Sequence, residues 1–172
     1  MRIKATFKKK ILLIMLSSFC ITPLLPQEKD VIFKKLLIAW HNFDNFPSSD
    51  NAIDLINILP QEPVNFSLPL FEVILESETF RKLEINAFSG DRNSVRILFR
   101  MLNVSDGAAG EYLSIELGLL IRIAPRIFLD ELKNNRIFVP RIEPLVANYG
   151  PFMGDEKAIE HERLLRIKSI EI

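Results

Sequence analysis

Apolar residues recur at intervals of three and four along most of the chain, and this spacing constrains the fold most. The clearest case is Ala52, Leu55, Ile56 and Leu59, which share one face of a helix. No pattern typical of β-strands competes with it. The sequence therefore predicts an all-α fold, either a small irregular helical bundle or a short α-solenoid-like stack of helix pairs.

Capping and helix-breaking residues set the predicted helix boundaries. A first helix is predicted from Asp30 to about Phe43, and a second one follows the capping residue Asp50. Region 67–89 is either one helix or two helices that are separated near Ser77. Further helices are predicted over 91–102, over 108–124, over 125–135 and after Asp155.

Two predictions concern how the later helices pack. Segment 108–124 is apolar nearly all round, so we expect it to lie centrally and to form a hairpin with the helix that Pro125 begins. Segment 136–154 contains three prolines, which predict an extended apolar loop instead of a long helix. The last helix is predicted to be a surface helix, whose apolar face consists of Ile159, Leu164 and Ile167.

The N-terminus has the composition of an export signal. Five basic residues lie in the first ten positions, and the apolar run 11–16 follows them. The longer run to Leu25 is interrupted by Ser17, Ser18 and Pro23, which makes an uncleaved membrane anchor the weaker interpretation. We therefore expect an export signal over 1–27, a single all-α domain over 28–172, and a location in the periplasm, the cell envelope or the medium.

Cys20 is the chain's one cysteine, so no intramolecular disulfide can form. Its position after Ser17 and Ser18 is similar to a bacterial lipoprotein signal, in which such a cysteine is acylated. Phe19 departs from that signal because the residue before the cysteine is normally small. Cys20 is therefore a candidate lipidation site, and ordinary cleavage is the alternative.

Charge argues against nucleic-acid binding. The chain has 22 basic and 22 acidic residues, and the leader holds five of the basic ones. The remainder is mildly acidic and has no excess of cations for phosphate groups.

A short stretch resembles the HEAT family of helical repeats. In residues 91–96 (DRNSVR), Asp91 precedes the apolar–basic pair Val95 and Arg96, like the turn and second-helix start of a HEAT repeat. Residues 51–56 (NAIDLI) can be aligned with 93–98 (NSVRIL) as a second copy, whereas a third copy would fall in the proline-bearing segment near Asn135. The resemblance implies stacked helix pairs and a protein that binds another macromolecule.

The inventory of catalytic and metal-binding groups is nearly empty, and we expect no catalytic, cofactor-binding or metal site. His161 and Glu162 begin the metalloprotease helix motif, but Leu165 occupies the position of its second histidine. Acid–base chemistry would have to rest on carboxylates. The candidates are Glu111 with Glu116 and Asp130 with Glu131, all of which we expect on solvated helix faces.

The loop that contains Tyr149, Phe152 and Met153 is a candidate contact for a partner, because aromatic and methionine side chains between glycines make an adaptable surface. The alternative is that these side chains tuck under the domain. We expect Trp40 in the core and His41 at its rim.

Together these features favour an exported, non-enzymatic protein that acts through a protein partner. Two alternatives remain open. One is a lipid-anchored envelope protein, in which membrane contact depends on an uncleaved leader or on lipidated Cys20. The other is an enzyme whose chemistry uses carboxylates alone.

Overall fold

The computed structural model describes residues 26–63, 74–139, 143–147, 149–152 and 154–170. These residues form helices and connecting turns with no β-strand among them, which confirms the predicted all-α class. The α-helices are α1 Pro26–Asn45, α2 Ser49–Ile58, α3 Glu78–Phe88, α4 Arg92–Leu102, α5 Gly107–Ile123, α6 Pro125–Asn134, α7 Glu143–Ala147 and α8 Glu156–Ile170. The predicted leader up to residue 25, including Cys20, lies outside the described residues.

The first six helices form three consecutive pairs, α1 with α2, α3 with α4 and α5 with α6. The first helices of the pairs meet through a ladder of aromatic rings. Phe80 of α3 lies 6.3 Å from Trp40 of α1 and 6.1 Å from Tyr112 of α5, measured between ring centroids. The first helices therefore make one layer of the molecule.

The second helices α2, α4 and α6 pack side by side as the other layer. Phe99 of α4 and Phe128 of α6 meet with their ring centroids 5.8 Å apart. Helix α4 lies between its two neighbours, and Val95, Leu98 and Phe99 on it are fully buried. The core thus fills the space between the two layers.

Helices α7 and α8 cover the third pair. Gly118 of α5 makes this close approach possible, because a Cβ atom there would lie 2.5 Å from the carbonyl oxygen of Leu145 in α7. The prediction that segment 108–124 is central is confirmed by these contacts, as is its hairpin with the helix that starts at Pro125.

Several helix boundaries in the structure differ from the predicted ones. Helix α1 begins at Pro26, four residues before Asp30 and inside the segment assigned to the leader. Ser48 caps α2 instead of Asp50, since its hydroxyl accepts a hydrogen bond from the Asn51 amide at 3.2 Å. Ser77 caps α3 in the same way, so a helix does start at the break that was left open in region 67–89.

The prediction of an extended loop over 136–154 is wrong in its middle. Helix α7 occupies Glu143–Ala147, and short 3-10 turns lie at Arg136–Phe138 and Gly150–Phe152. Pro144 is compatible with α7 because it occupies the first turn, where its missing N–H has no helical acceptor.

The predicted apolar face of the last helix is also wrong. Leu164 is 52% exposed and Ile167 is 42% exposed, whereas Glu162 and Arg166 are buried. Arg166 Nε lies 3.1 Å from Glu162 Oε1, and Arg122 of α5 reaches the other carboxylate oxygen at 2.9 Å. The helix therefore packs through a charged network that amphipathic spacing does not reveal.

Candidate functional site

The three turns within the helix pairs are neighbours, since one cleft is lined by residues of the first and second turns and another by residues of the second and third. We call this surface the turn edge. It comprises residues 46–48, residues 89–91 and Ala124 with Pro125. Ser48 and Asp91 cap the helices that follow the first two turns, and Asp91 accepts hydrogen bonds from both the amide and the hydroxyl of Ser94. Local capping thus fixes the chain direction at this edge.

An apolar cleft of about 670 Å³ opens between the second and third turns. Its apolar surface comes from Phe88, Ile123 and Ile127, and the guanidinium-bearing residues Arg92 and Arg126 also line it. No carboxylate belongs to the described lining residues. The turn at Gly90 approaches this wall closely, since its φ is +93° and a Cβ atom would lie 3.1 Å from Ile127 Cδ1.

A polar cleft of about 140 Å³ lies on the other side of the second turn. Ser48, Ser49, Asn86, Asp91 and Asn93 supply its polar groups. Within the described parts of the chain, the side-chain amides of Asn86 and Asn93 make no hydrogen bond. They are therefore available to a ligand.

Two large apolar side chains project into solvent along the turn edge. Phe46 is 74% exposed in the first turn, and Ile123 is 45% exposed beside the third. Other exposed apolar side chains are distributed over the helix surfaces, where single instances are normal. At the turn edge, exposed Ile123 lines the apolar cleft together with Arg92 and Arg126. Exposed Ile38 of α1 lines a further cleft of about 280 Å³ between α1 and α2.

A separate group of carboxylates lies between α3 and α5. The Tyr112 hydroxyl donates a hydrogen bond to Glu84 Oε1 at 2.6 Å, and burial raises the pKa of Glu84 above its usual value. Burial and the neighbouring Glu84 raise the pKa of Glu116 to about 7. A carboxyl with a pKa near 7, such as that of Glu116, can store and release a proton near neutral pH, which is the chemistry of a general acid or base.

Among the predicted carboxylates, Asp130 and Glu131 share one cation, since Arg92 Nη1 lies 3.7 Å from Glu131 Oε1. Glu111 is exposed, and Asp130 is exposed on α6, where it pairs with Arg92 at 2.7 Å. The prediction of a solvated helix face is wrong for Glu131, whose side chain is fully buried against Arg96. It is also wrong for Glu116, which is half-buried. Glu84 and Tyr112 were not predicted as site residues. They lie on different helices, α3 and α5, and no local spacing in the sequence relates them.

The loop proposed as a partner contact packs on the domain. Tyr149 and Phe152 are half-buried, and the guanidinium carbon of Arg166 lies 5.0 Å from the Tyr149 ring centroid. A Cβ atom on Gly150 would lie 2.6 Å from Ile115 Cγ2, so the loop backbone contacts α5. Met153 lies outside the described residues.

Both histidines, His41 and His161, are exposed, while Trp40 is buried as predicted. Across the described ranges, no group of three or more His, Cys, Asp and Glu side chains is placed to hold a metal ion. None of the helices in these ranges has the length and apolar character to cross a bilayer.

Comparison with known proteins gives no relative. No family model matches the chain, and neither a curated protein nor a solved structure matches it significantly. Any function must therefore be argued from the residues and their geometry.

Proposed function

We propose that this chain is an exported, non-enzymatic helical protein that acts by binding a protein partner through the turn edge. The observation that carries the proposal is the apolar cleft between the second and third turns. Exposed Ile123 and half-buried Phe88 and Ile127 form an apolar surface next to water, and an apolar side chain of a partner would be buried favourably against it.

The arrangement of helix pairs supports the same proposal. The two segments that resemble a HEAT repeat, 51–56 and 93–98, lie in α2 and α4. These are the second helices of consecutive pairs, and they pack side by side. A stack of this kind presents its turns in a row, which suits binding to an extended partner surface.

Export rests on the leader sequence, and the mature N-terminus tests it. Mass spectrometry of the protein from its native source should find a free N-terminus between residues 21 and 28. An acylated Cys20 would instead establish the lipid-anchored alternative, and an intact Met1 would contradict both.

Affinity capture with matched variants tests the binding function. Wild-type protein should retain a partner at constant stoichiometry, whereas Phe46→Asp and Ile123→Asp should lose it. Leu164→Asp is the control, because Leu164 is about as exposed as Ile123 but belongs to none of the three turns. Equal capture by all variants would contradict the assignment of the turn edge.

The carboxylate enzyme remains the second candidate because Glu116 has a pKa near 7 beside Glu84. The apolar and polar clefts of the turn edge do not include either residue. Protein binding is preferred because exposed apolar surface and clefts coincide at the turn edge.

A further inference from the structure

The apolar cleft has the size of a pocket for one or two large side chains. Its volume of about 670 Å³ lies within the range of about 300–1,000 Å³ that is common for ligand sites. Phe88, Ile123 and Ile127 offer contact area, and Pro125 adds a rigid apolar rim. Burial of a leucine or phenylalanine side chain is favourable in such surroundings.

The charges around the cleft select for an acidic ligand. Arg92 is already paired, with its Nη2 atom 2.7 Å from Asp130 Oδ2. Arg126 is exposed and forms no ion pair with any residue in the described ranges. Its guanidinium offers a fork of donors that matches a carboxylate, and no acid among the cleft's lining residues competes for it.

The polar cleft beyond the second turn matches a peptide backbone. Each of the Asn86 and Asn93 amides carries both a donor and an acceptor, which are the groups that an extended backbone presents. The second turn, residues 89–91, separates the two clefts, so one extended segment that crosses this turn can reach both.

From this arrangement we propose that the turn edge binds an extended protein segment in which an acidic residue adjoins a bulky apolar residue. The apolar side chain enters the apolar cleft, its acidic neighbour pairs with Arg126, and the continuing backbone meets Asn86 and Asn93. This inference rests on the proposed function, and it adds the chemistry of the partner.

An anionic membrane surface is the competing occupant. Arg126 is the one lining cation without an ion pair in the described residues, and a basic residue near such a surface contributes about 1 kcal/mol. That contribution is too small for stable membrane binding, whereas an apolar cleft next to the Asn86 and Asn93 amides suits a peptide. The experiment below therefore includes anionic vesicles.

The experiment is selection from a display library of random dodecapeptides on the immobilised protein. Enriched peptides should carry Asp or Glu within two positions of Leu, Ile, Phe or Met. They should bind in solution, as measured by fluorescence anisotropy, and Ile123→Asp should abolish that binding. Enriched peptides without acidic residues, or none that depends on Ile123, would overturn the inference.

Charge reversal at the two ends of α6 provides a matched pair of variants. Arg126→Glu should weaken peptide binding about tenfold or more, because an attractive pair becomes repulsive. Arg136→Glu makes the same change at an exposed residue beyond the C-terminal end of α6, which extends about 12 Å from Arg126 to Asn134, and should leave binding unchanged. Equal effects would overturn the role of Arg126.

Two further arms complete the test. The double variant Asn86→Ala with Asn93→Ala should weaken binding about threefold to tenfold, and an unchanged affinity would show that the polar cleft is not part of the site.

Vesicles of phosphatidylcholine with about one third phosphatidylglycerol should not bind the protein. Vesicle binding that depends on Arg126 would overturn the inference, because the occupant of the site would then be an anionic membrane surface and not a peptide. If edge variants lose the captured partner but selected peptides lack acids, this inference fails while the proposed function stands.

Discussion

Glu131 and Arg96 form a bidentate ion pair between α6 and α4, in which Arg96 Nε and Nη2 each lie 2.9 Å from an oxygen of the Glu131 carboxylate. The Glu131 side chain has no exposed surface, whereas the Arg96 side chain is 35% exposed. This difference in exposure determines which of the two residues destabilises the fold more when it is replaced.

Replacing Arg96 should cost more than replacing Glu131. Arg96→Met leaves a buried carboxylate without its main partner and should lower the free energy of unfolding by about 3 kcal/mol. Glu131→Gln leaves a guanidinium that can reach water, so its cost should be about 1 kcal/mol. Urea denaturation followed by circular dichroism measures both, and a larger cost for Glu131→Gln would contradict the argument.

The exposed pair Arg163 and Glu160 on α8 is the control for that experiment. Both side chains are about half exposed, with Arg163 Nη2 2.7 Å from Glu160 Oε1. Arg163→Met should leave the free energy of unfolding unchanged within error, since exposed pairs contribute little.

Gly118 is predicted to be irreplaceable because of where α7 lies. In Gly118→Ala the added Cβ atom would approach the Leu145 carbonyl oxygen to 2.5 Å, which should cost about 1–3 kcal/mol of unfolding free energy. Gly110→Ala in the same helix meets only ordinary contacts at 3.5 Å or more. That control should be neutral or stabilising by up to about 1 kcal/mol, because alanine favours helix. Similar losses for both variants would contradict the close approach of α7.

Phe80 joins the first helices of all three pairs, and it is 1% exposed. Phe80→Ala should therefore lower the free energy of unfolding by about 3–5 kcal/mol. Phe46→Ala is the matched control, since Phe46 is 74% exposed, and its effect on thermal unfolding should be small. A small effect of Phe80→Ala would mean that the aromatic ladder does not hold the layer together.

Glu116 should make stability depend on pH in an unusual direction. Burial and Glu84 raise its folded-state pKa from 4.5 to about 7, so the folded state binds its proton more tightly than the unfolded state does. Its contribution to stability is then present below about pH 4.5 and is lost as the pH rises to about 7. The difference in unfolding free energy between Glu116→Gln and wild type should increase across that window. A constant difference would contradict the raised pKa.

The groups around Glu116 give the same experiment a second readout. Glu84 lies on the facing helix α3, hydrogen-bonded to Tyr112 and influenced by the nearby cation Arg81. Glu84→Gln removes one of the two causes of the raised pKa, so it should lower the Glu116 pKa measured by carbon-13 NMR. An unchanged value would assign the shift to burial alone.

Sequence reasoning predicted the elements that local chemistry determines. Apolar spacing predicted the helices other than α7, and Pro125 predicted the start of α6. Asp91 and Asp155, where helices were expected to begin, cap α4 and α8. These features depend on residues within one or two turns of each other, so the sequence displays them directly.

Features that depend on contacts between distant segments were not predictable. Glu162 and Arg166 were not part of the predicted apolar face of the last helix, yet both are buried. Their burial is compensated from other helices by Arg122 and by the Leu145 carbonyl oxygen. The apolar cleft combines two turns separated by more than thirty residues along the chain. The turn edge was not predicted for the same reason, although helix boundaries were expected between residues 89 and 91 and at Pro125.

The claim that the turn edge binds a protein is tested most directly by photo-crosslinking in the native source. A benzoylphenylalanine side chain is placed in turn at Phe46, at Ile123 and at the control position Leu164. We predict that the two edge positions yield a discrete adduct with the same partner, while Leu164 yields none. Adducts from Leu164 alone, or from all three positions equally, would contradict the account.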